Sequence, residues 1–72
     1  MERVTHMVIL RTFATQMRAI SLQDDLRRAD IFSTVERPKW VNKKSPPPNV
    51  EVKVEEEDLV AAKAVLQDFL SA

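Results

Sequence analysis

The chain contains no glycine among its 72 residues, and this absence limits both the turns and the chemistry available to it. A turn that needs a positive φ must use Asn or Asp, the next residues to tolerate that conformation. Gly-rich loops that cradle phosphate groups are excluded. Cysteine is absent and His6 is the single histidine, so the sequence predicts neither thiolate chemistry nor a metal site built on a histidine pair.

The length predicts one small domain spanning residues 1–72. A domain of this size buries only about 60% of its unfolded surface, so its core is expected to be thin. The eleven cationic and eleven acidic residues cancel, which argues against bulk attraction to nucleic acid or to an anionic membrane. No apolar run exceeds four residues, so we expect no membrane insertion, no secretory signal and a cytoplasmic location.

The hydrophobic pattern predicts the order β-α-β-β-α. Strands are expected over residues 5–12, 31–36 and 50–54, and helices over residues 15–29 and from residue 59 nearly to the C-terminus. Thr15 is a candidate N-cap of the first helix, and Asp30 is expected to end it. This order predicts an α+β two-layer sandwich with the third strand in the centre and both helices on one face. The first strand then lies on an open edge, which invites strand addition or dimerisation.

The first helix carries two apolar stripes. One contains Ala19, Leu22, Leu26 and Ala29 at helical spacing and is assigned to the core. The second contains Phe13, Met17 and Ile20. It is expected either to cover the edge of the same core or to form an oligomer contact.

Residues 37–49 form a long loop that holds all four prolines and four of the eleven cations. Loops of this length in a small domain are often functional. Three interpretations stay open for its cluster of cations around an aromatic ring. In the first, Trp40 packs back on the small core while the lysines are solvated, and residue statistics favour this interpretation. In the second, the cluster binds a protein partner. In the third, it binds a nucleotide, another anion or a single strand of nucleic acid. The cluster consists of Arg37, Lys39, Trp40, Lys43 and Lys44.

Two other polar features are interpreted as structural. The acidic run from Glu55 to Asp58 suits the positive end of the following helix, and it lacks the spacing of a calcium loop. His6 has no serine or carboxylate tied to it by a recognisable motif, so no catalytic residue is assigned. No metal or cofactor is expected.

Several segments resemble a small bacterial family described as prokaryotic signal-transducing proteins, with a PII-like domain of unknown function. Residues 18–22 and 26–31 are similar to its first helix and turn, although Asp30 stands where the family has glycine. The last strand and helix are similar at residues 52–59 and at Ala62, Val65, Leu66 and Leu70. The resemblance implies a ferredoxin-like fold that lacks the fourth strand, and a regulatory or ligand-sensing role. In PII proteins the loop between the second and third strands contacts partners and nucleotide, and residues 37–49 hold that place in the topology.

These observations lead to a functional hypothesis. We expect a non-enzymatic protein-interaction or regulatory module, free or as a small subunit of a larger complex, that uses its open sheet edge and its Trp40 loop. The alternative is a PII-type sensor of a nucleotide or another small anion. An enzyme is the least supported class, because the chain offers no recognisable catalytic group.

Overall fold

A computed structural model describes residues 6–72 and shows a three-stranded antiparallel sheet with two helices. The strands are β1 (Met7–Phe13), β2 (Ser33–Glu36) and β3 (Val50–Glu55), and the helices are α1 (Gln16–Arg28) and α2 (Leu59–Ser71). A short 3-10 turn, Glu56–Asp58, leads into α2. The α+β class and the predicted order of elements are confirmed. The predicted start of the first strand at Thr5 lies outside the described residues.

The sheet has the order β1-β3-β2, so the third strand is central as predicted. Both neighbours run antiparallel to β3, with Met7 opposite Glu55 and Ser33 opposite Val54. Because β1 and β2 therefore run in the same direction, both of them end where β3 begins. The loop of residues 37–49 leaves the sheet at this end.

The core lies between one face of the sheet and the helices. Val50, Val52 and Val54 alternate along β3 with half-buried polar residues and are themselves buried. Helix α1 contributes Leu22 and Leu26, which are completely buried, together with Ala19. Helix α2 contributes only Ala62 to the fully buried set. Ala29, predicted as the end of the core stripe, is exposed, because α1 ends at Arg28.

A β-bulge in β1 determines which side chains of this strand reach the core. The pairing with β3 shifts between Ile9 and Arg11, which leaves Leu10 as the extra residue. Val8 lies opposite Val54, and after the bulge Phe13 lies opposite Val50, so both share the face of the buried valines. Without the extra residue, strict alternation from Val8 would place Thr12 on this face and Phe13 on the other.

The ends of α1 are built without glycine, as the sequence requires. Thr15 Oγ1 accepts a hydrogen bond from the Arg18 amide at 3.4 Å, which confirms the predicted N-cap. At the other end Asp30 has φ 63°, and its amide donates to the Arg27 carbonyl at 3.0 Å. The Ile31 amide reaches back to the Leu26 carbonyl at 2.9 Å. These two bonds form a Schellman motif with aspartate in the position that usually belongs to glycine.

Replacing Asp30 with glycine is expected to stabilise the fold by about 0.5–1 kcal/mol, because glycine adopts the left-handed conformation without a Cβ clash. The melting temperature should rise by about 4 °C, as measured by thermal unfolding. Asp30→Ala is the matched control, since it removes the same carboxylate but keeps a Cβ. We expect the stability order Gly, Asp, Ala. Equal gains from Gly and Ala would instead point to the carboxylate at the negative end of the helix dipole.

The face of the sheet away from the helices carries an ion-pair network. Lys53 Nζ lies 2.9 Å from Glu36 Oε2 and 3.7 Å from Glu51 Oε1. The hydrogen bond to Glu36 is the main cause that raises the pKa of Lys53 above its ordinary value, and the charges of both carboxylates add to it. The outer face of β2 and β3 is therefore polar.

Candidate functional site

The long loop between β2 and β3 concentrates positive charge at one end of the sheet. Residues 37–49 contain four cations and no acid, so the loop carries a charge of +4. The net charge of the whole chain is zero, so the remainder carries the opposite charge. The neutral composition therefore conceals a strongly basic segment, which produces a positive potential at this end of the sheet.

Trp40 is held by its own loop and not by the core. Its indole N–H donates to the Asn42 carbonyl at 2.9 Å and to the Ser45 carbonyl at 3.1 Å. The side chain stays 42% exposed and is absent from the core cluster. The interpretation in which Trp40 packs back on the core is therefore wrong. The hydrogen bonds fix the orientation of the ring while leaving much of it open to solvent.

A compact turn positions the lysines beside Trp40. The Ser45 amide donates to the Asn42 carbonyl at 3.1 Å, and the Lys44 amide donates to Asn42 Oδ1 at 3.0 Å. Asn42 thus accepts hydrogen bonds from the Lys44 and Ser45 amides and from the indole of Trp40. Lys43 and Lys44 are exposed within this turn. The structure therefore brings Trp40, Lys43 and Lys44 together as one surface unit.

Arg37 was predicted to belong to the binding cluster, but its side chain bonds within the base of the loop. Its Nη1 donates to the Pro48 carbonyl at 2.8 Å, which joins the first and last parts of the loop. Its guanidinium is therefore engaged in closing the base of the loop. Lys39 is exposed and immediately precedes Trp40. The basic surface of the loop is accordingly carried by Lys39, Lys43 and Lys44.

Sequence reasoning missed a second cationic feature at the same end of the sheet. The rings of Phe13 and Phe69 meet edge to face, with centroids 6.0 Å apart. The Arg18 guanidinium lies 5.5 Å from the Phe69 centroid and 5.9 Å from that of Phe13, and Arg11 lies 5.8 Å from the Phe13 centroid. Among the described residues neither guanidinium forms an ion pair. Spacing gave no signal for this cluster, because it depends on the bulge that turns Phe13 inward.

Of the three residues predicted to form an oligomer contact, one is buried and two are exposed. Phe13 is only 7% exposed and belongs to the chain's own core, so its assignment to a contact surface is corrected. Met17 is 78% exposed and Ile20 is 42% exposed on the outer side of α1. Asp24 continues the same stripe and pairs with Arg27 at 3.8 Å, so the apolar part is short. For Met17 and Ile20 the contact role stays a prediction.

The acidic run and His6 occupy structural positions at the opposite end of the sheet. Glu56, Glu57 and Asp58 form the turn before α2. The His6 carbonyl accepts a hydrogen bond from the Glu56 amide at 2.8 Å, which continues the pairing of β1 with β3. Within residues 6–72 no group of three or more His, Asp or Glu side chains is arranged to hold a metal ion.

A shallow depression also lies away from the loop. It is lined by Arg27, Asp30, Ile31 and Phe32, between the end of α1 and the start of β2. This position is at the end of the sheet opposite to residues 37–49. None of the loop cations therefore lines it.

Comparison of the chain with protein-family models, with curated proteins and with solved structures finds no match. Neither helix of residues 6–72 combines the length and the hydropathy that crossing a bilayer requires. The geometry of the loop and of the sheet edges is therefore the basis for assigning a function.

Proposed function

We propose that the chain is a non-enzymatic protein-interaction module whose Trp40 loop binds an acidic segment of a partner protein. One observation carries this proposal: the indole of Trp40 is fixed by two carbonyls of its own loop and stays exposed beside Lys43 and Lys44. A tryptophan that contributed only to the core would be buried there. Tryptophan is enriched in interface hot spots, and the neighbouring lysines add attraction to acidic groups.

The loop is suited to binding because its shape is largely set before the partner arrives. Pro46, Pro47 and Pro48 restrict the backbone on one side, and the Arg37 hydrogen bond to the Pro48 carbonyl closes the base. Ordering a flexible loop on binding costs free energy, so this restriction favours association. The lysines attract carboxylates, and the open part of the indole offers an apolar surface to neighbouring side chains of the partner.

The finer features of the fold belong to the same proposal. We take the β-α-β-β-α chain as a ferredoxin-like, PII-like fold without its fourth strand, in a cytoplasmic protein that acts alone or as a subunit of a larger complex. The sheet order and the open edge at β1 support this view. The edge offers unpaired backbone groups for an added strand, which gives the module a second binding surface.

The proposal is tested by titrating the protein with a glutamate-rich peptide while following tryptophan fluorescence. Trp40 is the single tryptophan, so the signal reports on the loop alone. The variant Lys43→Gln/Lys44→Gln should bind about ten-fold more weakly at low salt, since each lost charge pair costs up to about 1 kcal/mol.

The matched control is Lys63→Gln, which removes an exposed lysine from α2, outside the loop. We expect it to leave the affinity nearly unchanged. An equal loss with Lys63→Gln would contradict a specific role for the loop. No saturable response to the peptide, together with a saturable response to a nucleotide, would favour the PII-type sensor instead.

A further inference from the structure

The outer edge of β1 presents backbone groups that pair with nothing among the described residues. The His6 carbonyl bonds to the Glu56 amide, so His6 and Glu56 form a hydrogen-bonded pair in the antiparallel ladder. Such pairs alternate with pairs whose backbone groups point outward. In the regular part of β1 before the bulge, the N–H and C=O groups of Met7 and Ile9 therefore point to the open edge.

The two edges of the sheet differ in how well they are protected. The β2 edge has only four residues, ends at Glu36 and is followed closely by Pro38. Short length, charge and proline are the usual means of preventing strand addition. The β1 edge has seven residues, and Met7–Leu10 contains neither charge nor proline. The bulge at Leu10 and the charge of Arg11 protect the second half of this edge, which leaves Met7–Ile9 as a regular pairing segment without protection.

Helix α2 also lacks apolar cover. Nine of its thirteen residues are apolar, yet only Ala62 is fully buried, and Val65, Leu66 and Phe69 are half-buried. Helix α2 packs against β1 and β3, and α1 contacts β2 more than either of the other strands. A strand added beside β1 would extend the sheet on the side that α2 covers. Its helix-facing side chains would then give α2 further apolar neighbours.

We propose that the β1 edge binds β1 of a second copy of this chain, antiparallel and around a two-fold axis at Val8. In this register each Met7 lies opposite Ile9 of the second copy, so the outward-pointing backbone groups of both residues are hydrogen-bonded. The two Val8 side chains meet on the helix-facing side, beneath the α2 helices. No like charges face each other within Met7–Ile9.

The choice of a second copy follows from what the edge requires. A strand that suits this edge is apolar where it faces α2 and uncharged along the pairing segment, and β1 meets both conditions itself. A two-fold axis perpendicular to the sheet makes the two β1 strands antiparallel. A two-fold pair is also the commonest form of oligomer. This inference rests on the proposed use of the open edge, and it is independent of the acidic partner of the Trp40 loop.

The variant Ile9→Pro tests the inference because it removes an N–H that points to the open edge and leaves the bonds between β1 and β3 in place. Light scattering should show a dimer for the wild-type chain and half that mass for Ile9→Pro. Ile9→Val is the matched control, since it keeps the N–H, and it should remain dimeric. The peptide titration on the same samples reports the loop separately, so failure of one proposal does not imply failure of the other.

A second measurement uses the unaltered chain, in case Ile9→Pro does not fold. Hydrogen exchange should show slow exchange of the Met7 and Ile9 amides, with rates that increase on dilution as the dimer dissociates. A single-chain mass for the wild type at high concentration would overturn the inference. A dimer in which the Met7 and Ile9 amides exchange rapidly would overturn it as well, because its interface would lie elsewhere.

Discussion

Replacing Leu22 with alanine is expected to destabilise the protein by about 3 kcal/mol, as is usual for truncation of a fully buried leucine. Leu22 lies in α1, is 0% exposed and belongs to the core cluster. A domain of this size has a total stability of only about 4–10 kcal/mol. The melting temperature should therefore fall by about 15 °C, which circular dichroism on heating will measure.

Met17→Ala is the control for this experiment, because it also replaces a large apolar side chain of α1 with alanine. Met17 is mostly exposed, so we expect a change in stability within about 0.5 kcal/mol. Similar losses from the two variants would contradict the assignment of the α1 faces. A large loss from Met17→Ala that depends on protein concentration would instead support the predicted oligomer contact at Met17 and Ile20.

Replacing Trp40 with alanine is expected to weaken binding of the glutamate-rich peptide at least ten-fold, because the aromatic anchor of the loop is removed. The melting temperature should change little, since the indole bonds to Asn42 and Ser45 within the loop and lies outside the core cluster. Isothermal titration calorimetry measures the affinity without relying on tryptophan fluorescence. Thermal unfolding of the same samples measures the stability.

Trp40→Phe separates the two roles of this side chain. It keeps an aromatic ring but removes the N–H that donates to the two carbonyls. We expect an affinity between those of the wild type and Trp40→Ala, because the ring is present but less well oriented. Unfolding of the sheet by Trp40→Ala, or unchanged affinity in both variants, would contradict the proposed role of the loop.

Local patterns were sufficient for the parts of the fold that depend on neighbouring residues. The alternation of Val50, Val52 and Val54 predicted β3, and the lack of glycine drew attention to Asp30 as the residue that ends α1. Both predictions rest on backbone preferences that act over a few residues. The central position of β3 followed from the order of elements and from the need to cover one face of the sheet.

The predictions that the structure overturned depend on contacts between distant segments. The role of Phe13 depends on a bulge in β1, which is visible only in the register with β3. One of the three interpretations placed Trp40 on the core because large aromatic residues are usually buried, but polar groups within its own loop hold it at the surface. The stacking of Arg18 on Phe69 joins residues far apart in the chain, for which periodicity carries no information.

The hydrogen bond from Arg37 to the Pro48 carbonyl closes the loop on itself, so the sequence of the loop can evolve separately from that of the core. The bonds that shape the loop, including those of Trp40 and Asn42, begin and end within residues 37–49. Residues between the two ends can therefore be exchanged without compensating changes in the valines and leucines beneath. The sheet and helices therefore form a constant scaffold. The binding specificity of the loop can change while this scaffold stays the same.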